Sequence, residues 1–199
     1  MKQLLITGFD PFGGESVNPA WEAVRRLPDT VGRYALTRLQ IPTVFGKAAE
    51  TVLAAADAMP SPPDVILCIG QAGGRAAVTP EMVAINYRHA SIADNAGTRI
   101  CESPIIDGAP AAYFATVPVQ RMTEAIAACS LPAQTSYSAG TFVCNDVLYT
   151  LLHHFSGKIT AVGFIHVPYL PEQARVHDAP SMPSDDIVRA LTAAITALD

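Results

Sequence analysis

Charge is what this sequence has least of. Only 16% of its 199 residues are Asp, Glu, Lys or Arg, against about 25% in an average soluble domain. The net charge is −5, so a basic face for neutralising phosphates is missing and an electrostatic nucleic-acid binder is excluded. Half of the residues are apolar, which excludes intrinsic disorder. No apolar run approaches the ~20 residues of a membrane span. The opening Met1-Lys2-Gln3-Leu4-Leu5-Ile6-Thr7 is too short for a secretory apolar region and reads as an immediate β-strand. The cysteines Cys68, Cys101, Cys129 and Cys144 show no Cys-x-x-Cys spacing. Neither a disulfide framework nor a zinc site is indicated, and free thiols in a reducing cytoplasm are expected. Internal repeats and low-complexity linkers are also missing. So few charges leave little solvated surface, and another subunit is expected to cover part of the apolar remainder.

What is present is an alternation of short apolar runs with helical segments. Leu4–Thr7, Ala35–Ile41, Val65–Gly70 and Ile159–Ile165 read as strands buried on both faces, with a further strand over Met82–Tyr87. Helices are predicted over Pro19–Leu27, with Asn18 as N-cap and Pro19 at the first position, and over Val44–Met59, stopped by Pro60-Ser61-Pro62-Pro63. Three more follow: Val117–Cys129, Phe142–Phe155, and a last helix capped by Ser184-Asp185-Asp186 and running to Leu198. The order implies an α/β domain with a mainly parallel sheet. Ala90–Ala111 is irregular and rich in Asp, Gly and Pro, a loop long enough to be functional.

In such sheets ligands bind beyond the C-terminal ends of the strands. Three segments fall there: Gly8–Gly14, Gln71–Arg75 and His166–Tyr169. The first is not a phosphate loop, since it has no Gly-x-Gly-x-x-Gly and no following Gly-Lys-Ser/Thr. Its Phe9 and Phe12 suit either the core or an aromatic wall for a small apolar ligand. Cys144 lies where a helix begins, and free N–H groups and the helix dipole there favour a thiolate and an oxyanion. On that reading it is also the thiol most readily oxidised. Cys68 is read as core. A cysteine nucleophile needs a base, and His166 follows a strand end, whereas His153 and His154 lie late in a helix and His89 and His177 in polar loops. A third group must orient the imidazole. Glu81, Asp94 and Asp178 are candidates that spacing alone does not separate.

Five segments taken together resemble the pyroglutamyl (pyrrolidone-carboxylate) peptidases. They are Gly8-Phe9-Asp10-Pro11-Phe12-Gly13-Gly14 with Asn18-Pro19, Gly70-Gln71-Ala72-Gly73-Gly74-Arg75, Glu81 with Val83-Ala84-Ile85-Asn86, Ser138–Asn145, and Gly163-Phe164-Ile165-His166-Val167-Pro168. The resemblance runs through most of the chain. It implies one peptidase domain over residues 1–199, a three-layer α/β/α sandwich with a mainly parallel mixed sheet, a cytoplasmic location and usually a homotetramer. It further implies a cysteine exopeptidase that removes an N-terminal pyroglutamyl residue from peptides through a thioacyl-enzyme, with no metal or cofactor. By motif, Cys144 matches the nucleophile, His166 the general base and Glu81 the residue orienting it. Phe9, Phe12, Phe142 and Val143 fall in the pyrrolidone pocket and Gln71 against the lactam. The ring is flat and uncharged, so aromatic area and a few polar groups suit it.

One position departs from the family. Where its members usually carry Ala-Arg-Ile-x-Asp-Asn, this chain reads Ala90-Ser91-Ile92-Ala93-Asp94-Asn95. That arginine is expected to help the Cys144 backbone N–H hold the oxyanion, and losing one such donor costs on the order of 100-fold in turnover. Either Ser91 leaves the enzyme weakened, or Arg88 swings in as a substitute. The alternative function is a weakly active or inactive lactam-binding protein on the same fold. A different hydrolase or a phosphorylase would need a phosphate site, for which only Arg75 is suitably placed.

Overall fold

The computed structural model describes residues 1–198 of the chain. The first half contains β1 (Lys2–Phe9), α1 (Pro19–Val24), β2 (Thr30–Val31), β3 (Tyr34–Ile41), α2 (Lys47–Asp57) and β4 (Val65–Gln71). Then come β5 (Thr79–Pro80), β6 (Val83–Ile85), β7 (Ala112–Phe114), α3 (Val119–Ala128) and α4 (Val143–His154). The chain closes with β8 (Ala161–Val167), α5 (Pro171–His177) and α6 (Ser184–Thr196).

Strand periodicity builds the layers. Side chains alternate between the two faces of a strand. Leu4 and Ile6 of β1, Leu67 and Ile69 of β4, and Ile165 and Val167 of β8 meet α1, α3 and α6 on one face. Leu5, Phe9, Ile66, Cys68, Val162 and Phe164 meet α2 and α4 on the other. The six-stranded sheet runs β2-β3-β1-β4-β8-β5. Its four central strands are parallel, and short antiparallel strands close both edges. This is the expected α/β/α sandwich with a mixed, mainly parallel sheet.

Asn18 caps α1 as expected, accepting a 3.0 Å hydrogen bond from the Ala20 N–H. Gly8 lets that helix lie against β1, since a Cβ there would come within 2.7 Å of the Trp21 backbone. The other helices begin or end a few residues inside the sequence-based limits, and the Ser184 side chain does not cap α6.

Three strand expectations need correction. β3 is half-exposed along its middle rather than buried on both faces, because only short β2 lies outside it. β8 starts at Ala161, and Ile159 is 97% exposed: it continues the apolar run without joining the ladder. The Met82–Tyr87 strand shrinks to β6, which pairs with β7 in a separate two-stranded sheet. β2, β7 and α5 carry too little apolar periodicity to announce themselves. Residues 90–111 form no helix or strand.

Candidate active site

The site lies at the C-terminal ends of β4 and β8, on the face covered by α4. The parallel register sets Gly70 beside His166. The antiparallel register of β5 sets Thr79 on the other side of His166. The chain leaving β5 therefore carries Glu81 back beneath the histidine, and the Glu81 N–H donates to the Phe164 carbonyl at 2.9 Å. Cys144 is the second residue of α4, where the first-turn N–H groups have no partner inside the helix. Gly70 makes room for it, since a Cβ at that position would stand 2.7 Å from the Phe164 ring and 3.0 Å from the Cys144 Sγ.

His166 Nδ1 lies 2.7 Å from Glu81 Oε1. A carboxylate only accepts, so Nδ1 carries the proton and Nε2 keeps its lone pair. His166 is 4% exposed and Glu81 0%, and the imidazole packs on the Phe164 ring with centroids 4.7 Å apart. Burial pushes the His166 pKa below the ordinary imidazole value, only partly opposed by Glu81, and Arg75 pushes it further down. Burial works against an ionised Glu81, but the hydrogen bond and charge of His166, with help from Arg75, hold it below the usual carboxylate range. Burial, reinforced by the negative charge of Glu81, pushes the Cys144 thiol up to about 12. Burial thus works against the low thiol pKa expected at a helix N-terminus. Cys101 and Cys129 are exposed, Cys144 is partly exposed and Cys68 is buried.

Arg75 is the member that sequence reasoning missed. Its Nη1 donates to Glu81 Oε1 at 2.7 Å and to Thr79 Oγ1 at 2.5 Å. Its Nη2 donates to the Ser138 carbonyl at 3.1 Å. One guanidinium thus ties the buried carboxylate to the loop that leads into Cys144. The available signal was its place as the one cation in a glycine-rich loop after a strand.

A cleft of about 420 Å³ opens over this group, lined by Phe12, Phe142, Gln71, Arg75, Ser138, Cys144 and His166 among others. Phe12 and Phe142 stand 6.2 Å apart by ring centroid, and Phe45 meets Phe142 edge-on at 5.2 Å. Gln71 accepts a hydrogen bond from Gln173 at 3.0 Å. Phe9 and Val143 are not in the cleft wall. Phe9 is 2% exposed, points into the core against Phe164, and supports the site from behind. Val143 is fully buried under α4. Strand parity and helix phase decide both.

The other candidates find different roles. Asp94 receives the N–H groups of Phe45, Ala96 and Thr98 and organises its own loop. Asp178 is the left-handed residue ending α5. Ser91 is exposed and outside the cleft wall. Arg88 is committed elsewhere: its Nε donates at 2.5 Å to Asp146, which is fully buried on α4, and it stacks on the Phe45 ring. Swinging Arg88 into the cleft would strand that carboxylate, so the substitution suggested for the missing arginine is corrected.

Comparison with known proteins decides the family. The family model described as pyroglutamyl peptidase matches residues 2–199. The chain belongs to the pyroglutamyl peptidase family. A pyrrolidone-carboxylate peptidase of Escherichia fergusonii is 49% identical over 202 residues, covering 100% of this chain and 94% of the relative. One from Levilactobacillus brevis is 49% identical over 199 residues, covering 98% and 97%. Among solved structures, pyroglutamyl peptidase I of Bacillus amyloliquefaciens superimposes with a TM-score of 0.95 at 45% identity, covering 100% of this chain and 97% of its own. A mutant pyrrolidone carboxyl peptidase from P. furiosus gives 0.92 at 37% identity, covering 98% of each chain. The sandwich and the cysteine-hydrolase class read from the sequence both stand on these matches.

Proposed function

We propose that this chain hydrolyses the amide bond after an N-terminal pyroglutamyl residue, with Cys144 as nucleophile, His166 as general base and Glu81 as the group orienting His166. The observation that supports the reading is that Cys144 and His166 line one cleft, with the buried Glu81 2.7 Å behind His166 Nδ1. His166 Nε2 takes the thiol proton as Cys144 Sγ attacks the pyroglutamyl carbonyl. The imidazolium that forms is stabilised by Glu81. It then protonates the leaving amine as the amide C–N bond breaks. Water, deprotonated by His166, attacks the thioester, releases pyroglutamate and restores the thiol. The first-turn N–H groups of α4 face the developing oxyanion.

Phe12 and Phe142 offer an apolar wall to the flat lactam, and Gln71 lies against its polar edge. A peptide with an unblocked N-terminus would bring an ammonium between these rings, where the cleft wall offers no free carboxylate to offset its desolvation. The comparisons give no support to a binding-only protein. The described residues contain no helix long and apolar enough to cross a membrane, and the proposed setting is the cytoplasm. The proposed assembly is a homotetramer, whose mass by light scattering is four times the 21.0 kDa of the chain. A monomer there ends that part of the proposal.

The deciding assay uses a pyroglutamyl fluorogenic amide with wild type and Cys144→Ser. Release by wild type and loss on the order of 1,000-fold or more in the variant is expected. Equal release by both removes Cys144 from the mechanism.

A further inference from the structure

A second cavity, of about 500 Å³, adjoins the catalytic cleft. Arg75 and Ser138 line both. Beyond them the second cavity is walled by Thr79, Gln134, Ser136 and Tyr137. Its floor is held in place by backbone. Residues 133 and 136 bridge in parallel to 78 and 81. The Gln134 N–H donates to the Val78 carbonyl at 3.1 Å, and the Ser136 N–H to the Pro80 carbonyl at 2.9 Å. Thr135 also lines the cavity, and its hydroxyl meets that of Thr123 of α3 at 3.0 Å. The segment is therefore a fixed ledge running outward from the reacting groups, with Tyr137 69% exposed at its rim.

We propose that this ledge is the subsite for the leaving peptide, and that it favours an acidic over a basic residue directly after the pyroglutamyl group. The inference rests on the hydrolytic reading above. Phe12 and Phe142 line the catalytic cleft and not the second cavity, so a lactam on their wall with its scissile bond at Cys144 leaves the rest of the peptide to pass Arg75 and Ser138, which line both. Arg75 is the one charged side chain lining the second cavity. Its partner Glu81 is fully buried and shares the same oxygen with His166, whereas the Arg75 side chain is 31% exposed. The cation is the part of that pair which an incoming side chain meets. The remaining walls are uncharged, with Ala76 and Ala77 among the hydroxyl and amide side chains, so nothing there compensates a lysine or arginine on the substrate.

The test compares kcat/KM for pyroglutamyl-Glu-Ala amide and pyroglutamyl-Lys-Ala amide at low salt, alongside a pyroglutamyl coumarin amide. Wild type is expected to prefer the acidic peptide by about 3- to 10-fold, with the preference shrinking as salt rises. Gln134→Glu puts a negative charge on the ledge at an exposed position, and is expected to lower or reverse the ratio. Ser156→Glu adds the same charge beyond the far end of α4 and leaves the ratio at its wild-type value. A ratio of one, or a ratio that Gln134→Glu does not move, overturns the subsite while the peptidase reading stands. No cleavage of any of the three compounds overturns the peptidase reading itself, and the subsite with it.

Discussion

Arg75 concentrates three jobs in one side chain. It neutralises Glu81, braces Thr79, and holds the Ser138 carbonyl ahead of the nucleophile. It touches no reacting atom in this arrangement, so it is a positioning residue, and its charge also depresses the His166 pKa. Arg75→Gln is expected to lower kcat/KM by roughly 10- to 100-fold through misplacement. It should also move the acid limb of the pH profile to higher pH, because the cation that disfavoured imidazolium is gone. Arg75→Lys keeps the charge but not the fork: its acid limb stays near wild type while its rate stays low. A fall in rate with an unmoved acid limb in Arg75→Gln would leave Arg75 with a purely structural part. Ser91 poses a separate question, because it sits exposed at the position where the family resemblance leads one to expect arginine. If the oxyanion lacks a donor, Ser91→Arg raises kcat, by up to about 100-fold. An unchanged kcat shows that the helix N–H groups already suffice.

At the scale of elements, α4 is the part on which most of the site depends. Its N-terminus presents Cys144, and its first turn also carries Asn145 and Asp146, both buried. Asn145 accepts from the Ile85 N–H and donates to the Ile85 and Tyr87 carbonyls, fixing β6 and the chain after it against the helix. Asp146 accepts from the Gly46 N–H at 2.8 Å and from Arg88, tying the start of α2 to the same turn. Arg88→Ala leaves the buried Asp146 without its counter-charge, and about 3 kcal/mol of stability should be lost. Urea unfolding measures this directly, and a loss under 1 kcal/mol would mean that Asp146 needs no cation. Because Phe45 lies under the Arg88 guanidinium and meets Phe142 edge-on, the same variant should raise KM for the lactam more than it lowers kcat.

For the molecule as a whole, the buried His166–Glu81 pair makes folding stability depend on pH. The His166 pKa is depressed in the folded state, so the unfolded chain binds the proton first. Its contribution is complete above the ordinary imidazole value of about 6.5 and declines as pH falls toward the folded value. The Glu81 pKa is depressed too. Its contribution is present above about pH 4.3 and is lost as pH falls through the folded value. Both act in one direction, so Tm should fall on acidification from pH 7. Between pH 6.5 and 5.5 the fall should be smaller in His166→Gln than in wild type. Parallel slopes by calorimetry would show that another group carries the dependence.

The sequence by itself determined the layers of the sandwich, because strand alternation and helix stops are local patterns. It also determined the chemical type of the site. A cysteine at a helix start, a histidine at a strand end and glycines where bulk would collide are each visible over a few residues. Spacing did not decide which carboxylate serves His166; the motif resemblance pointed to Glu81, and the tertiary structure supplies the physical reason. Glu81, Asp94 and Asp178 were equivalent by spacing, and the antiparallel pairing of β5 with β8 separates them by joining positions 79 and 166 across the chain. The same holds for Phe9 and Val143, whose facing depends on sheet parity and helix phase, and for Arg88, claimed by Asp146. Burial works against the low Cys144 thiol pKa expected from the helix start, since desolvation is a property of the packed molecule and not of any segment. The sparse charge noted at the outset has its counterpart here. Ionic groups are few, and those at the site are shared between partners, so each does more than one thing.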